Sequence, residues 1–287
     1  MAVSSFIPTI WTAALLKVLP TRLVSQWGVN HDYQGDVLIG GSVKINDLGD
    51  ITVGDYNPSG TITYQDLSTT AQTLNIDSSK YWGFKVDDVD ARQAAGNLII
   101  PAMERAADKL ARTIDGLNFA TMSSGVATAN VIGGDGGSGE ADPVTVTTVA
   151  QAKKLLLDMK TVADKNDVPD DGRVFYCTPE FENLLLGDTT LNMSPATATD
   201  TLKAGYVGRL YGIDIFRSNN LPMTTGSNNI AILTHSIATT EAYQIDKTEA
   251  LRSENSFKDL VRGLYVSGRK VIRPTCIVKG IVTYTSA

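Results

Sequence analysis

A β-rich stretch in the first third of the chain, residues 51–77, is too poor in apolar side chains to cover itself. Ile51 and Val53 alternate as in a strand, and Ile62 and Tyr64 do the same. The sequence NPSG between the two pairs is typical of a tight turn, which predicts a β-hairpin. An isolated two-stranded hairpin is marginal in water, so this one must pack against something else.

The composition is that of a globular protein. Its 287 residues are 43% hydrophobic and 20% charged, which excludes a disordered chain and allows one large domain or two smaller ones. A net charge of −6 argues against a dedicated nucleic-acid binder, which would neutralise phosphates with clustered Lys and Arg. The one basic cluster, Arg269, Lys270 and Arg273, is typical of a solvated or ion-paired strand end.

The cysteines and the N-terminus point to a protein that folds in a reducing compartment. Cys177 and Cys276 match no metal or redox spacing, so we expect two buried free thiols. The apolar N-terminus lacks a basic leading region and is interrupted by Pro8 and Lys17, which argues against a signal peptide. No run of about 18 apolar residues occurs, so no transmembrane helix is expected.

A long amphipathic helix follows the β-rich stretch, within residues 87–122. Apolar residues recur there at intervals of three and four, and Asp108 and Arg112 stand one turn apart as an ion pair. Pro101 predicts a kink near Leu98. The acids expected to open the helix, where its dipole favours anions, are Asp87, Asp88 and Asp90.

Helices and strands are mixed through the rest of the chain without steady βαβ alternation, which predicts an α+β fold. A second helix is expected at about 147–163. The buried strand RVFYC then leads into a third helix, with Thr178 as its cap and Pro179 in its first turn. A buried strand and a short helix are expected in AILTHSIATTEAYQI, and two or three strands after residue 252.

Motifs of catalysis or ligand binding are missing from the sequence. His31 and His235 stand in unrelated contexts, which indicates structural histidines rather than a zinc site or an acid–base pair. The glycine-rich GGDGGSGE is not followed by GK[ST], so it is interpreted as a linker. We therefore expect no catalytic, cofactor or metal site, with a hydrolase that uses acidic residues as the weakest alternative.

Four stretches in a fixed order carry a resemblance to a known family. They are ITYQDLSTTAQTLNIDSSKYWGFKVDDVDARQA, GYVGRLYGIDIFRSNNLP, AILTHSIATTEAYQI and RSENSFKDLVRGLYVSGRKVIRP. In this order the chain resembles the major capsid proteins of tailed bacteriophages. The resemblance implies an α+β, Hong-Kong-97-like shell fold. Its implied parts are an N-terminal arm (1–35), an extended β-hairpin loop (36–86), a peripheral-domain spine helix with its connecting loop (87–146), an axial domain (147–245) and the C-terminal strands of the peripheral domain (246–287).

The function implied by this resemblance is structural. The chain would self-assemble as hexamers and pentamers into an icosahedral virion shell around double-stranded DNA, which it would enclose without specific binding. Further implied partners are a separate scaffolding protein and a portal, in the cytoplasm of a bacterial host and without a membrane; a decoration protein is left open. The alternative is an encapsulin, a nanocompartment shell protein that encloses cargo enzymes.

Two departures from the family pattern lead to predictions about how the shell is assembled and held together. Met1 leads directly into the arm, which predicts a separate scaffolding protein and little maturation cleavage. No Lys lies between Lys44 and Lys80, where some relatives use a loop lysine for a covalent cross-link, so we expect a non-covalent shell. The candidate inter-subunit contacts are Trp11, Trp27, Tyr56, Ile62, Tyr64 and Leu67; the alternative for the arm is that it packs on its own domain.

Overall fold

A computed structural model describes residues 23–33, 41–48, 69–87, 99–133, 142–187, 205–224 and 228–284, together with Val53, Asp55, Tyr64 and Asp66. The helices in these ranges are α1 (Ile99–Ser124), α2 (Val149–Lys165) and α3 (Pro179–Leu186). The strands are β1 (Ser42–Leu48), β2 (Thr69–Asn75), β3 (Ser78–Asp87), β4 (Val131–Ile132), β5 (Val144–Thr145), β6 (Arg173–Cys177), β7 (Tyr206–Leu210), β8 (Ile213–Arg217), β9 (Asn229–His235), β10 (Thr239–Arg252), β11 (Lys258–Val271) and β12 (Ile277–Thr283).

The largest core lies around a seven-stranded mixed sheet. Its order is β4-β12-β9-β6-β8-β7, with β5 also paired to β12. β6 is buried along its whole length, and β9 is buried from its second residue onward, as expected for central strands covered on both faces. α2 packs on β12, where Gly280 lies under Leu155 and Met159. These strands and α2 bury most of the apolar side chains in the described part of the chain.

The second layer is a three-stranded antiparallel sheet of order β10-β11-β3, with α1 against it. β10 and β11 are long, and their register shifts once between Ile245 and Lys247. Met103, Leu110 and Ile114 of α1 pack with Val261 of β11 in a second core. Further along the same helix, Phe119 and Met122 enter the large core. α1 is therefore amphipathic, as its apolar periodicity indicated, and it joins the two cores as the spine helix that the family resemblance implied.

The β-hairpin is a separate two-stranded sheet of β1 and β2. Ser42 pairs with Asn75 and Leu48 with Thr69. The strands that the structure describes are thus the base of the hairpin. The predicted turn NPSG and its flanking strands fall outside the described residues, apart from Val53, Asp55, Tyr64 and Asp66.

Several local predictions are confirmed. The helix expected at about 147–163 is α2; the structure adds that it begins after Thr148, whose side chain accepts a hydrogen bond from the backbone N–H of Gln151 in a capping box. Asp108 and Arg112 form the predicted ion pair, with 3.0 Å between Oδ2 and Nε. Pro179 occupies the first turn of α3. The spacing of Trp11, Leu15 and Val18 also predicts a short helix at about residues 10–19, which lies outside the described residues.

Other local predictions are wrong or shifted. Asp87 ends β3 instead of opening the helix, and Asp88, Asp90 and Leu98 lie outside the described residues. Pro101 lies in the first turn of the described part of α1, and the kink predicted near Leu98 falls outside the described residues and stays a prediction. AILTHSIATTEAYQI contains no helix, because β9 turns directly into β10.

The predicted helix cap at Thr178 is only partly confirmed. Thr178 is at the cap position of α3, but its hydroxyl bonds the hydroxyl of Tyr284 (2.9 Å) instead of a helix N–H.

The expected division at residue 246 falls inside β10, and β12 lies in the seven-stranded sheet. The domain boundaries themselves stay predictions.

Candidate interaction surfaces

The hairpin base is anchored by a small apolar cluster. Val43, Ile45 and Leu74 pack with Ala242 of β10. The base also approaches β11 closely: a Cβ on Gly268 would lie 2.2 Å from the carbonyl oxygen of Asn75, so only glycine fits there. Within the described residues this anchor is much smaller than the core around the seven-stranded sheet.

Beyond the base, the hairpin presents apolar and acidic side chains to solvent. Val53 is 92% exposed and Tyr64 is 91% exposed. Asp55 and Asp66 are exposed as well. Among the candidate contacts, Trp11, Tyr56, Ile62 and Leu67 lie outside the described residues, and a contact of Tyr64 with another subunit stays a prediction.

Trp27 lies on a short 3₁₀ turn, Ser25–Gly28, at the start of the described chain. Its ring stacks on Phe216 of β8, with 6.2 Å between centroids and 17° between planes, and 37% of the residue stays exposed. A Cβ on Gly28 would lie 2.7 Å from Thr234, so the turn is pressed against the large sheet. This part of the arm packs on its own chain, and a further contact of Trp27 with a neighbour stays a prediction.

A buried polar cluster fixes the same turn to α1. The carboxylate of Asp115 accepts hydrogen bonds from the backbone N–H groups of Val24 (3.2 Å) and Ser25 (2.9 Å). Burial raises the pKa of Asp115, and the hydrogen bonds from Ser25 and Val24 oppose that rise. The hydroxyl of Tyr176 donates to the carbonyl of Ser25 (3.0 Å), which closes the turn against β6.

The cluster continues into the three-stranded sheet. Asn118 donates to Glu241 Oε2 (2.9 Å), and Arg269 donates to Glu241 Oε1 (2.9 Å) and to Asn118 Oδ1 (2.6 Å). The Glu241 and Arg269 side chains are 3% and 5% exposed, and the hydroxyl of Tyr265 also donates to Glu241 (3.1 Å). The ion-paired interpretation of Arg269 is confirmed, and its side chain is buried rather than solvated. No sequence pattern pairs Arg269 with Glu241. The one sign of a buried polar cluster in the sequence is that the polar residues Asp115 and Asn118 lie on the apolar face of α1.

An open groove of about 870 Å³ lies between β3 and α1. Trp82 and Phe84 of β3 stack in it, with 6.2 Å between ring centroids. The exposed basic residues around it are Lys80, Lys85, Arg105 and Lys109.

The buried cysteines and His235 have structural surroundings. Cys177 and Cys276 are free and buried, as predicted, and burial raises the pKa of the Cys177 thiol. His235 accepts a hydrogen bond from the backbone N–H of Ile237 (3.1 Å), and its other ring nitrogen lies 2.7 Å from the carbonyl of Asp171. Within the described residues no cluster of His, Cys, Asp and Glu could hold a metal ion, and no helix is long and apolar enough to cross a membrane.

Comparison with known proteins identifies the class. A model of the phage capsid protein family matches residues 46–280. A chain from Mycobacterium phage Che8 is 30% identical, with 91% of each chain covered and a TM-score of 0.69. The capsid of cyanophage P-SCSP1u is 17% identical over 86% of this chain and 84% of its own, with a TM-score of 0.64. A virus-like particle from Pyrococcus furiosus is 11% identical over 98% of this chain and 100% of its own, with a TM-score of 0.56. A search of curated protein sequences found no match.

The chain therefore belongs to the phage capsid protein family. It is a major capsid protein with a Hong-Kong-97-like fold, which forms the shell of a virion by self-assembly. The encapsulin alternative is not favoured, because the family match is to phage capsid proteins and the resemblance to the Pyrococcus particle is confined to the fold.

Proposed function

We propose that this capsid protein assembles as hexamers and pentamers into an icosahedral shell around packaged double-stranded DNA. A separate scaffolding protein and a portal, implied by the family resemblance, would take part in assembly in the cytoplasm of the bacterial host. The net charge of −6 suits a wall that encloses DNA without adhering to it. The role is structural, and no catalytic step is assigned to any residue.

One observation carries the proposal: the hairpin base packs on a small apolar cluster, while the described apolar side chains beyond the base are exposed to solvent. Val53 and Tyr64 are more than nine-tenths exposed, although both are large and apolar. Burial of such a side chain contributes about 1.5–3 kcal/mol before ordering costs. Repeated contacts between neighbouring subunits of a shell can supply this burial.

The shell is held by packing rather than by covalent links. No lysine lies between Lys44 and Lys80, so this part of the hairpin has no amine for an isopeptide bond. Denaturing gels of purified particles should show a single band at the monomer mass of 30.7 kDa. A ladder of multiples would contradict non-covalent assembly.

Electron microscopy of the expressed protein tests the proposal. The chain is expressed alone and together with the genes that neighbour its own, and the products are separated by sedimentation. We expect capsomers, tubes or closed shells, with icosahedral particles when the scaffolding protein is present. Monomers under every condition would overturn the proposed function.

A further inference from the structure

We draw no further inference here: the strongest candidate, the open cavity of about 570 Å³ on the face of the three-stranded sheet away from α1, where exposed Tyr81 lies near Leu264 and the Glu249–Arg262 ion pair, carries none, because nothing in the described part of the structure shows what covers it.

Discussion

The seven-stranded sheet and the β1–β2 hairpin use the same backbone pairing but differ in what covers them. In the large sheet, strands such as β6 are buried on both faces by helices and loops of the same chain. The described part of the hairpin has one small apolar cluster around Leu74, and the side chains of Val53 and Tyr64 are exposed to solvent. The sheet is stabilised within the subunit, whereas we propose that the hairpin gains its cover from a neighbouring subunit. On this proposal, folding and assembly depend on different parts of one chain.

The largest effect is expected at the junction between α1 and the three-stranded sheet. Glu241→Leu leaves Arg269 buried without its carboxylate, and removal of one partner from a buried ion pair costs about 3–5 kcal/mol. Urea unfolding of the monomer should show this loss. The double variant Glu241→Leu/Arg269→Met should recover part of it, because no uncompensated charge remains while Asn118 and Tyr265 still lose hydrogen-bond partners. A single variant within about 1 kcal/mol of wild type would contradict the buried pair.

In the large sheet, Leu233→Ala should lower the free energy of unfolding by about 2–5 kcal/mol. Leu233 is 2% exposed on the central strand β9, where its neighbours cannot collapse into the cavity without moving the sheet. Thermal unfolding followed by circular dichroism measures the loss. An unchanged midpoint would mean that this sheet is not the main source of the subunit's stability.

The same truncation in the hairpin, Leu74→Ala, should have a different outcome. Leu74 is 0% exposed, yet its cluster is small and joins only the hairpin base to β10. We expect the global free energy of unfolding to change by less than about 1 kcal/mol, while β1 and β2 lose protection against hydrogen exchange. A loss as large as that of Leu233→Ala would remove the distinction between the two regions.

The pH dependence of stability should include a contribution from Asp164, near the large sheet. A hydrogen bond from Arg173 lowers the pKa of Asp164 below its ordinary 3.8. The ionised form is therefore favoured by folding: its contribution is present above about pH 4 and is lost as the pH falls through the lowered pKa. Asp164 is 43% exposed, so solvent screens the contribution and keeps it small. Unfolding of Asp164→Asn should differ from wild type more at about pH 7 than at about pH 3; an equal difference at both would contradict the pairing.

The smallest effect is expected for Trp82→Phe in the three-stranded sheet. The indole N–H of Trp82 is buried and has no acceptor among the described residues, so its removal sacrifices no hydrogen bond. Stacking on Phe84 is retained by phenylalanine. The free energy of unfolding should stay within about 0.5 kcal/mol of wild type, and a larger loss in chemical denaturation would indicate an acceptor outside the described residues.

What the sequence predicted correctly is local. The apolar spacing of α2, the Asp108–Arg112 pair and the first turn of α3 depend on residues within four positions of each other. What it missed is long-range: Asn118 is 123 residues from Glu241 and 151 from Arg269, and no local pattern signals that these side chains converge. At Thr178 a long-range contact replaces a local one. The local pattern predicted that its hydroxyl would bond the end of α3, but the hydroxyl bonds that of the distant Tyr284.

The prediction that 51–77 has little core of its own is tested only at its described residues. Val53 and Tyr64 are exposed there, whereas Leu74 is buried, and the rest of the prediction falls on residues outside the described ranges. The groove was not predicted, because it requires β3 and α1 to be brought together by β11. Its basic residues look like ordinary surface charges in the sequence, and their common position emerges only in three dimensions.

We infer that the hairpin serves assembly and not the fold of the subunit. Deletion of about residues 55–65 tests it most directly, with unfolding of the monomer and electron microscopy of the products measured on the same preparations. We predict a monomer with an unchanged unfolding midpoint that forms no shells under conditions in which the full chain does. Normal particles from the deleted chain, or a monomer that no longer folds, would contradict the claim.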